Sequence, residues 1–145
     1  MIKRLLLALP LMMAVHTYAG DKQSSNTGIQ FQELSLKDAM AKAKKEHKLI
    51  FIDVYTTWCG PCKLLKKNTF PDKKLGDYYN KNFISIAADA EQGEWVLFAA
   101  QNRVQGYPTM MILDAEGKEV NRTMGYMPPE PLLKFATDTK AKTKN

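Results

Sequence analysis

The sequence contains few residues of the kinds that form structural disulfides or bind metal ions. It has two cysteines and two histidines among 145 residues. Structural zinc normally takes four Cys or His ligands, and one of the histidines lies in an N-terminal segment that is predicted to be removed. The other, His47, is distant in sequence from both cysteines. The composition therefore argues against structural zinc, and neither a metal nor another cofactor is predicted.

The chain also lacks an apolar run long enough to span a membrane, which takes about 20 residues. Residues 5–15 are apolar, but they number eleven and include Pro10. Two basic residues precede this run, small residues stand before a cut after Ala19, and no cysteine stands at the cut to carry a lipid anchor. This layout predicts a signal peptide at residues 1–19 and export to the periplasm or out of the cell.

No strong charge imbalance and no low-complexity tract is present. Removal of residues 1–19 would take away two basic residues and lower the formal net charge from +6 to +4. The remaining lysines alternate with acids and apolar residues, as on solvated helix faces, so no nucleic-acid partner is predicted. The length and the hydrophobic content of 45% suit one domain. We place it at residues 30–141, after a polar, flexible leader at residues 20–29.

Hydrophobic periodicity predicts strands and helices in alternation. Residues 49–55 form an apolar run typical of a central strand buried on both faces, interrupted by the charge of Asp53. Further strands are predicted at 30–34 (a short edge strand), 83–88, 109–114 and 118–124, and helices after Ser35, from Cys59 to about 68, at 71–79, 93–102 and 129–140. Crossover connections imply parallel strands and the last two strands a hairpin, which gives an α/β fold with a central mixed sheet flanked by helices.

Both cysteines fall within the five residues Trp58-Cys59-Gly60-Pro61-Cys62. A disulfide that closes so small a loop constrains the unfolded chain very little, so the pair is predicted to be reactive rather than stapling. A strand precedes it and a helix follows, which places Cys59 at a helix N-terminus where a thiolate is favoured. Cys62 lies one turn later and can resolve a mixed disulfide. Gly60 admits a substrate backbone, and Pro61 suits the first helical turn.

Two further features point to the same site. Asp53 precedes Cys59 by six residues, and a buried carboxyl there can take the Cys62 proton; the alternative is a carboxylate satisfied by caps or water. Pro108 precedes a predicted strand. A cis Tyr107–Pro108 bond would press this loop against the cysteines and offer backbone groups to an extended substrate, whereas an ordinary trans proline would simply begin an edge strand. The residues alone leave both questions open.

Several motifs follow one another in a fixed order along the chain. They are Asp53, then Trp58-Cys59-Gly60-Pro61-Cys62-Lys63, then Gly106-Tyr107-Pro108-Thr109, and finally Gly125. A lone CxxC would be a weak signal, but this ordered set resembles the thioredoxin superfamily over about residues 30–140. The resemblance implies a thioredoxin fold and a thiol-disulfide oxidoreductase.

The resemblance also implies roles for individual residues. Catalytic roles fall to Cys59, Cys62 and Asp53, and substrate-binding roles to Trp58, Gly60, Pro61, Tyr107, Pro108 (as a cis-proline) and Gly125. One departure concerns Asp53: thioredoxins often carry a lysine on the strand beside the buried acid, and residues 83–88 contain none. Asp53 is therefore expected to lack that charge partner.

The sequences at residues 68–72 and 88–89 resemble periplasmic thioredoxin-like domains that accept electrons from a membrane conduit. Gly60-Pro61 accompanies reducing members of the superfamily. We therefore expect a monomeric reductant of disulfides in exported proteins, with a membrane thiol conduit as electron donor. The alternatives are an oxidase of the same fold and a redox-inactive binding module that uses the groove around Trp58, Tyr107 and Met124. A third is a Cu(I) site that joins the thiolates to Met110, Met111, Met124 or Met127.

Overall fold

The computed structural model describes residues 27–143. The predicted signal peptide and most of the predicted leader lie outside this range. The elements, in chain order, are α1 (Leu36–Glu46), β1 (Leu49–Tyr55), α2 (Gly60–Leu64) with a π-helical segment (Leu65–Thr69) that continues it, α3 (Lys73–Asn82), β2 (Phe83–Asp89), α4 (Gly93–Gln101), β3 (Thr109–Leu113), β4 (Glu119–Met124) and α5 (Pro129–Lys142).

Side-chain caps fix where two of the helices begin. The backbone N–H of Asp38 donates to the Ser35 hydroxyl oxygen at 3.0 Å, and α1 begins directly after Ser35, as the sequence predicted. The N–H of Leu75 donates to a carboxylate oxygen of Asp72 at 2.8 Å and starts α3. Such caps satisfy N–H groups that have no partner inside the helix.

Across the described residues the sheet has the strand order β2-β1-β3-β4. β1 pairs in parallel with β2, whereas β3 is antiparallel to both β1 and β4. The predicted mixed sheet and the final hairpin are confirmed. Two details of the prediction were wrong: β3 does not run parallel to β1, and residues 30–34 form a single bridge between Phe31 and Ser85 rather than a strand.

The two faces of the sheet carry separate hydrophobic clusters, because successive strand residues point to opposite faces. Ile50, Ile52 and Val54 of β1 pack in one cluster with residues of α1 and α4. Phe51 packs on the other face, in a cluster that includes Leu65 of the π-helical segment and residues of α3 and α5. Asp53 follows the alternation of Phe51. Its carboxyl therefore lies on the face that the active-site helix covers.

The packed part of the domain reaches back to Gly28 and Ile29, which the sequence placed in the leader. The N–H of Ile29 donates to the carbonyl of Phe70 at 2.8 Å. A Cβ built on Gly76 of α3 would lie 2.3 Å to 2.5 Å from backbone atoms of Gly28. Gly28 itself has φ of +97°, which side-chain-bearing residues rarely adopt. Two glycines thus allow this segment to lie directly on α3.

Replacing Gly76 by alanine is expected to destabilise the protein by about 2 kcal/mol, although alanine is the better helix former by about 1 kcal/mol. The added methyl would overlap the Gly28 backbone, which cannot turn away as a side chain can. Urea unfolding of the oxidised protein measures the loss. Gly60→Ala is the control, because its Cβ would meet nothing within 4 Å. Equal stabilities of the two variants would contradict the packing described for Gly28.

Candidate active site

The two cysteines form a disulfide at the start of α2, with their Cα atoms 5.3 Å apart. Cys59 is the N-cap residue, and the backbone N–H of Cys62 donates to its sulfur at 3.2 Å. After reduction the same N–H group would stabilise a thiolate on Cys59. Both cysteines are almost fully buried in this oxidised state, since Cys59 is 3% exposed and Cys62 is 1% exposed.

The residues between the cysteines meet the local requirements of a helix start. Pro61 lies in the first turn of α2, where the N–H that it lacks would have no intrahelical partner. Gly60 faces open space, so its missing side chain leaves the approach to the disulfide free. Both positions agree with the sequence prediction for the turn, while contact with a substrate stays a prediction.

Trp58 directly precedes Cys59, and its side chain is 64% exposed. Its indole N–H donates to a Glu91 carboxylate oxygen at 3.0 Å, and its ring stands edge-on to Tyr107 with centroids 6.0 Å apart. The ring contact brings the predicted Trp58 and Tyr107 together. Glu91 is not among the residues predicted for the site, because an acid in a loop 33 residues from Trp58 looks in the sequence like any other surface acid.

The loop before β3 is joined to the end of β4. The Tyr107–Pro108 peptide bond is cis, as the resemblance implied. The N–H of Gly125 donates to the carbonyl of Pro108 at 2.8 Å, and Gly125 has φ of +92°, a conformation that favours glycine. Met124, 64% exposed, stands next to this link. A Cβ added to Gly106 would lie 3.0 Å from the Met124 sulfur, so Met124 borders the loop of Tyr107, whose ring contacts Trp58. We call the side chains of Trp58, Tyr107 and Met124 the apolar rim.

Asp53 is fully buried, and neither of its carboxylate oxygens has a hydrogen-bond partner among the described residues. The described protein groups therefore do not cap this carboxylate, which was one of the alternatives that the sequence left open. Burial raises the pKa of Asp53 from 3.8 to about 7, and the positive charge of Lys66 opposes this rise. On the neighbouring strands Asp53 pairs with Ala87 and Met110, so neither adjacent strand supplies a cation.

The methionines considered as copper ligands lie in different surroundings. Met110 and Met111 are fully buried and belong to the clusters on opposite faces of the sheet. The sulfur of Met127 accepts a long contact from the Thr123 hydroxyl at 3.8 Å. Residues 27–143 contain no group of three or more His, Cys, Asp or Glu side chains placed to hold a metal ion. In the same range no helix is long and apolar enough to cross a bilayer.

Residues 36–140 match the family model of the thioredoxin-like domain. The chain belongs to this family. Family and fold confirm the prediction of a thioredoxin-like protein, and the Cys59–Cys62 disulfide confirms that the two cysteines pair with each other. Individual roles for the other candidate residues stay predictions.

Known proteins of related sequence and structure include disulfide-exchange proteins. The thiol:disulfide interchange protein DsbD of Yersinia pestis (strain Pestoides F) is 30% identical over 131 residues, which cover 85% of this chain and 22% of that protein. The chain thus spans about a fifth of that relative's length. A solution structure of a candidate disulphide-isomerase from Bacteroides thetaiotaomicron is 39% identical with a TM-score of 0.71, covering 80% of this chain and 96% of that one.

The fold is also shared with a domain at the C-terminus of a larger protein. The oxidised C-terminal domain of DsbD from Neisseria meningitidis superposes with a TM-score of 0.62 at 21% identity. The alignment covers 77% of this chain and 98% of that domain. At this level of identity the comparison shows the fold alone.

Proposed function

We propose that the protein reduces disulfide bonds in exported proteins by transferring two electrons from the Cys59/Cys62 dithiol. The observation that carries this proposal is the cysteine pair at the start of α2, with its sulfur capped by a backbone N–H and an open apolar rim beside it. Gly60-Pro61 between the cysteines favours the reducing direction over oxidation. No chemistry beyond sulfur exchange is needed, so the proposal includes no cofactor.

The reaction takes two exchanges. The Cys59 thiolate attacks one sulfur of the substrate disulfide, which forms a mixed disulfide and releases the other substrate sulfur as a thiolate that takes a proton. Cys62 then loses its proton to the Asp53 carboxylate, attacks the Cys59 sulfur and displaces the second substrate thiolate. The enzyme ends as the disulfide and the substrate as the dithiol, two electrons richer. A dithiol donor must then reduce Cys59–Cys62 for the next cycle.

The substrate is an extended segment of polypeptide rather than a small thiol. Trp58 and Met124 are each 64% exposed, and the Tyr107 ring contacts Trp58, so the rim offers apolar surface next to Cys59. A backbone hydrogen bond joins Pro108 and Gly125, the residues that follow Tyr107 and Met124 in the chain. An exposed apolar surface of this kind suits unfolded or partly folded proteins whose disulfides are accessible.

The donor in this proposal is a membrane thiol conduit, and the protein acts as a monomer in the periplasm or outside the cell. The support is the predicted signal peptide at residues 1–19 and the similarity to proteins named as thiol:disulfide interchange proteins. The modest net charge leaves no reason to propose a nucleic-acid partner.

Expression of the full chain in a Gram-negative host tests the export step. We expect the protein in the periplasmic fraction with Gly20 as its first residue, because Thr17 and Ala19 are the small residues that signal peptidase requires before its cut. N-terminal sequencing of the purified protein gives the cut. As a control, Leu7→Arg should break the apolar run and leave the chain uncleaved in the cytoplasm. Retention of residues 1–19 on exported wild-type protein would contradict the proposed signal peptide.

Two assays on the mature protein test the direction of exchange. With dithiothreitol as donor, the protein is expected to accelerate the reduction of insulin disulfides, whereas its oxidised form should be a poor oxidant of reduced, unfolded ribonuclease. The opposite pattern would favour the oxidase alternative. If neither assay responds and purified reduced protein holds stoichiometric copper, the Cu(I) alternative replaces the proposal.

A further inference from the structure

A cavity of about 300 Å³ lies beside the buried acid. Asp53, Lys66 and Ala87 line it together with the apolar side chains of Ile29, Phe31 and Phe70. The cavity borders Ala87, the residue that pairs with Asp53 on β2, and the methyl of Ala87 leaves this space open. A long side chain at position 87 of β2 would reach into this cavity. The cavity therefore lies where a lysine on the neighbouring strand, as in many thioredoxins, would approach the carboxyl.

Lys66 reaches this opening from a different element. It belongs to the π-helical segment that follows the cysteines, in which the N–H of Phe70 donates to the carbonyl of Leu65 at 2.9 Å. The Lys66 ammonium nitrogen lies 3.7 Å from the centroid of the Tyr55 ring, within cation–π distance. Because Tyr55 follows Asp53 by two residues on β1, the two side chains point to the same face of the sheet. The ring thus holds the ammonium group on the face of the buried carboxyl.

Among residues 27–143, the other groups identified around Asp53 and Tyr55 are neutral or acidic. Ala87 of β2 and Met110 of β3 are the strand neighbours of Asp53. Asp89 and Glu33 act on the Tyr55 hydroxyl, whose pKa is raised by burial and by these acids together with Asp53. Among the described residues, Lys66 is the cation whose charge lowers the pKa of Asp53.

We propose that Lys66 is a positioning residue for the exchange reaction: it supplies, from the π-helical segment, a positive charge that favours the ionised form of the Asp53 carboxyl, the form that accepts the Cys62 proton. The proposal rests on the proposed function in one respect, the use of Asp53 as proton acceptor. Lys66 itself keeps its proton throughout. The proton moves from the Cys62 sulfur to Asp53, and it leaves for solvent after the Cys59–Cys62 bond has formed.

A titration of the oxidised protein tests the electrostatic step without any turnover. The Asp53 carboxyl is followed by ¹³C NMR in the wild type and in Lys66→Gln, Lys66→Arg and Lys67→Gln. We expect the midpoint of the Asp53 titration to rise by about 0.5 to 1 pH unit in Lys66→Gln, because this variant lacks the positive charge that favours the carboxylate. The rise is modest because the space between the two groups is partly solvated. Lys66→Arg retains the charge, and Lys67→Gln removes one from an exposed neighbour on the same segment, so both should titrate as the wild type. Equal midpoints in Lys66→Gln and Lys67→Gln would overturn the proposal.

The kinetics of resolution provide the second readout. A mixed disulfide is formed on Cys59, and release of its leaving thiol is timed by stopped flow from pH 5.5 to 9.5. In Lys66→Gln the midpoint of the pH–rate profile should shift to higher pH by the same amount as the midpoint of the titration. Release of the thiol should then be about threefold slower than in the wild type at pH 7 and equally fast above about pH 9. A uniform loss at every pH would indicate a structural effect and contradict the proposal. If the wild type itself shows no exchange, the proposed function fails, while the titration still decides whether Lys66 acts on Asp53.

Discussion

Replacing Cys62 by serine is expected to convert the protein into a covalent trap. Cys59 can still attack a substrate disulfide, but the second thiol that releases the substrate is missing. Turnover in the insulin assay should fall by about a thousandfold or more, since the two sulfurs act as one unit. Mixed disulfides that dithiothreitol cleaves should accumulate and appear on non-reducing gels.

Two variants make this result specific. Cys59→Ser should form no adducts, because the N-cap position that stabilises a thiolate belongs to Cys59, whereas Cys62 lies within the first turn of α2. The double variant Cys59→Ser, Cys62→Ser should bind substrate reversibly at most. If the double variant binds clients as strongly as the wild type and no adduct forms on Cys62→Ser, the protein is a redox-inactive binding module.

Replacing Asp53 by asparagine is expected to stabilise the oxidised protein above neutral pH. Burial raises the pKa of Asp53 from 3.8 to about 7 in the folded protein. Between these values the unfolded chain has released the proton that the folded protein still holds, so the free energy of unfolding falls as pH rises through this window. Above it the folded protein carries a buried charge. The cost approaches about 4 kcal/mol, because each pKa unit corresponds to about 1.4 kcal/mol.

Urea unfolding at pH 5 and pH 8.5 measures this effect. At pH 8.5 we expect Asp53→Asn to exceed the wild type by about 2 to 4 kcal/mol, and at pH 5 the difference should be much smaller. Asp77→Asn is the control: Asp77 is exposed in an ion pair with Lys73, so its loss should change stability by less than about 0.5 kcal/mol at either pH. Parallel pH profiles for wild type and Asp53→Asn would contradict a proton held by Asp53 in the fold.

Local sequence patterns were sufficient to predict much of the fold. The apolar run of β1 and the helical spacing after Ser35 each depend on neighbours within a few residues, and both elements were predicted correctly. The direction of β3 was predicted wrongly, because it depends on how the β2–α4–β3 connection crosses the sheet. Sequence periodicity does not record that path. The bridge at Phe31 similarly depends on a distant partner, Ser85.

The cysteine pair and Asp53 could be singled out because each breaks a local rule. A charge within an apolar strand and two thiols too close to staple a chain both call for an explanation. Glu91 and Lys66 break no such rule. Each is an ordinary surface residue in sequence, and each reaches the site through the fold: Glu91 through the loop after β2 and Lys66 through the π-helical segment. Their roles emerge only from the three-dimensional arrangement.

The redox midpoint of Cys59/Cys62 tests the central claim most directly. The mature protein is equilibrated across defined thiol-disulfide buffers, and its free thiols are counted by alkylation and mass spectrometry. A reductant requires a strongly reducing midpoint, near the value of about −270 mV known for thioredoxin. A midpoint near the value of about −120 mV known for a strong disulfide-forming oxidase, or no two-electron transition at all, would contradict the account.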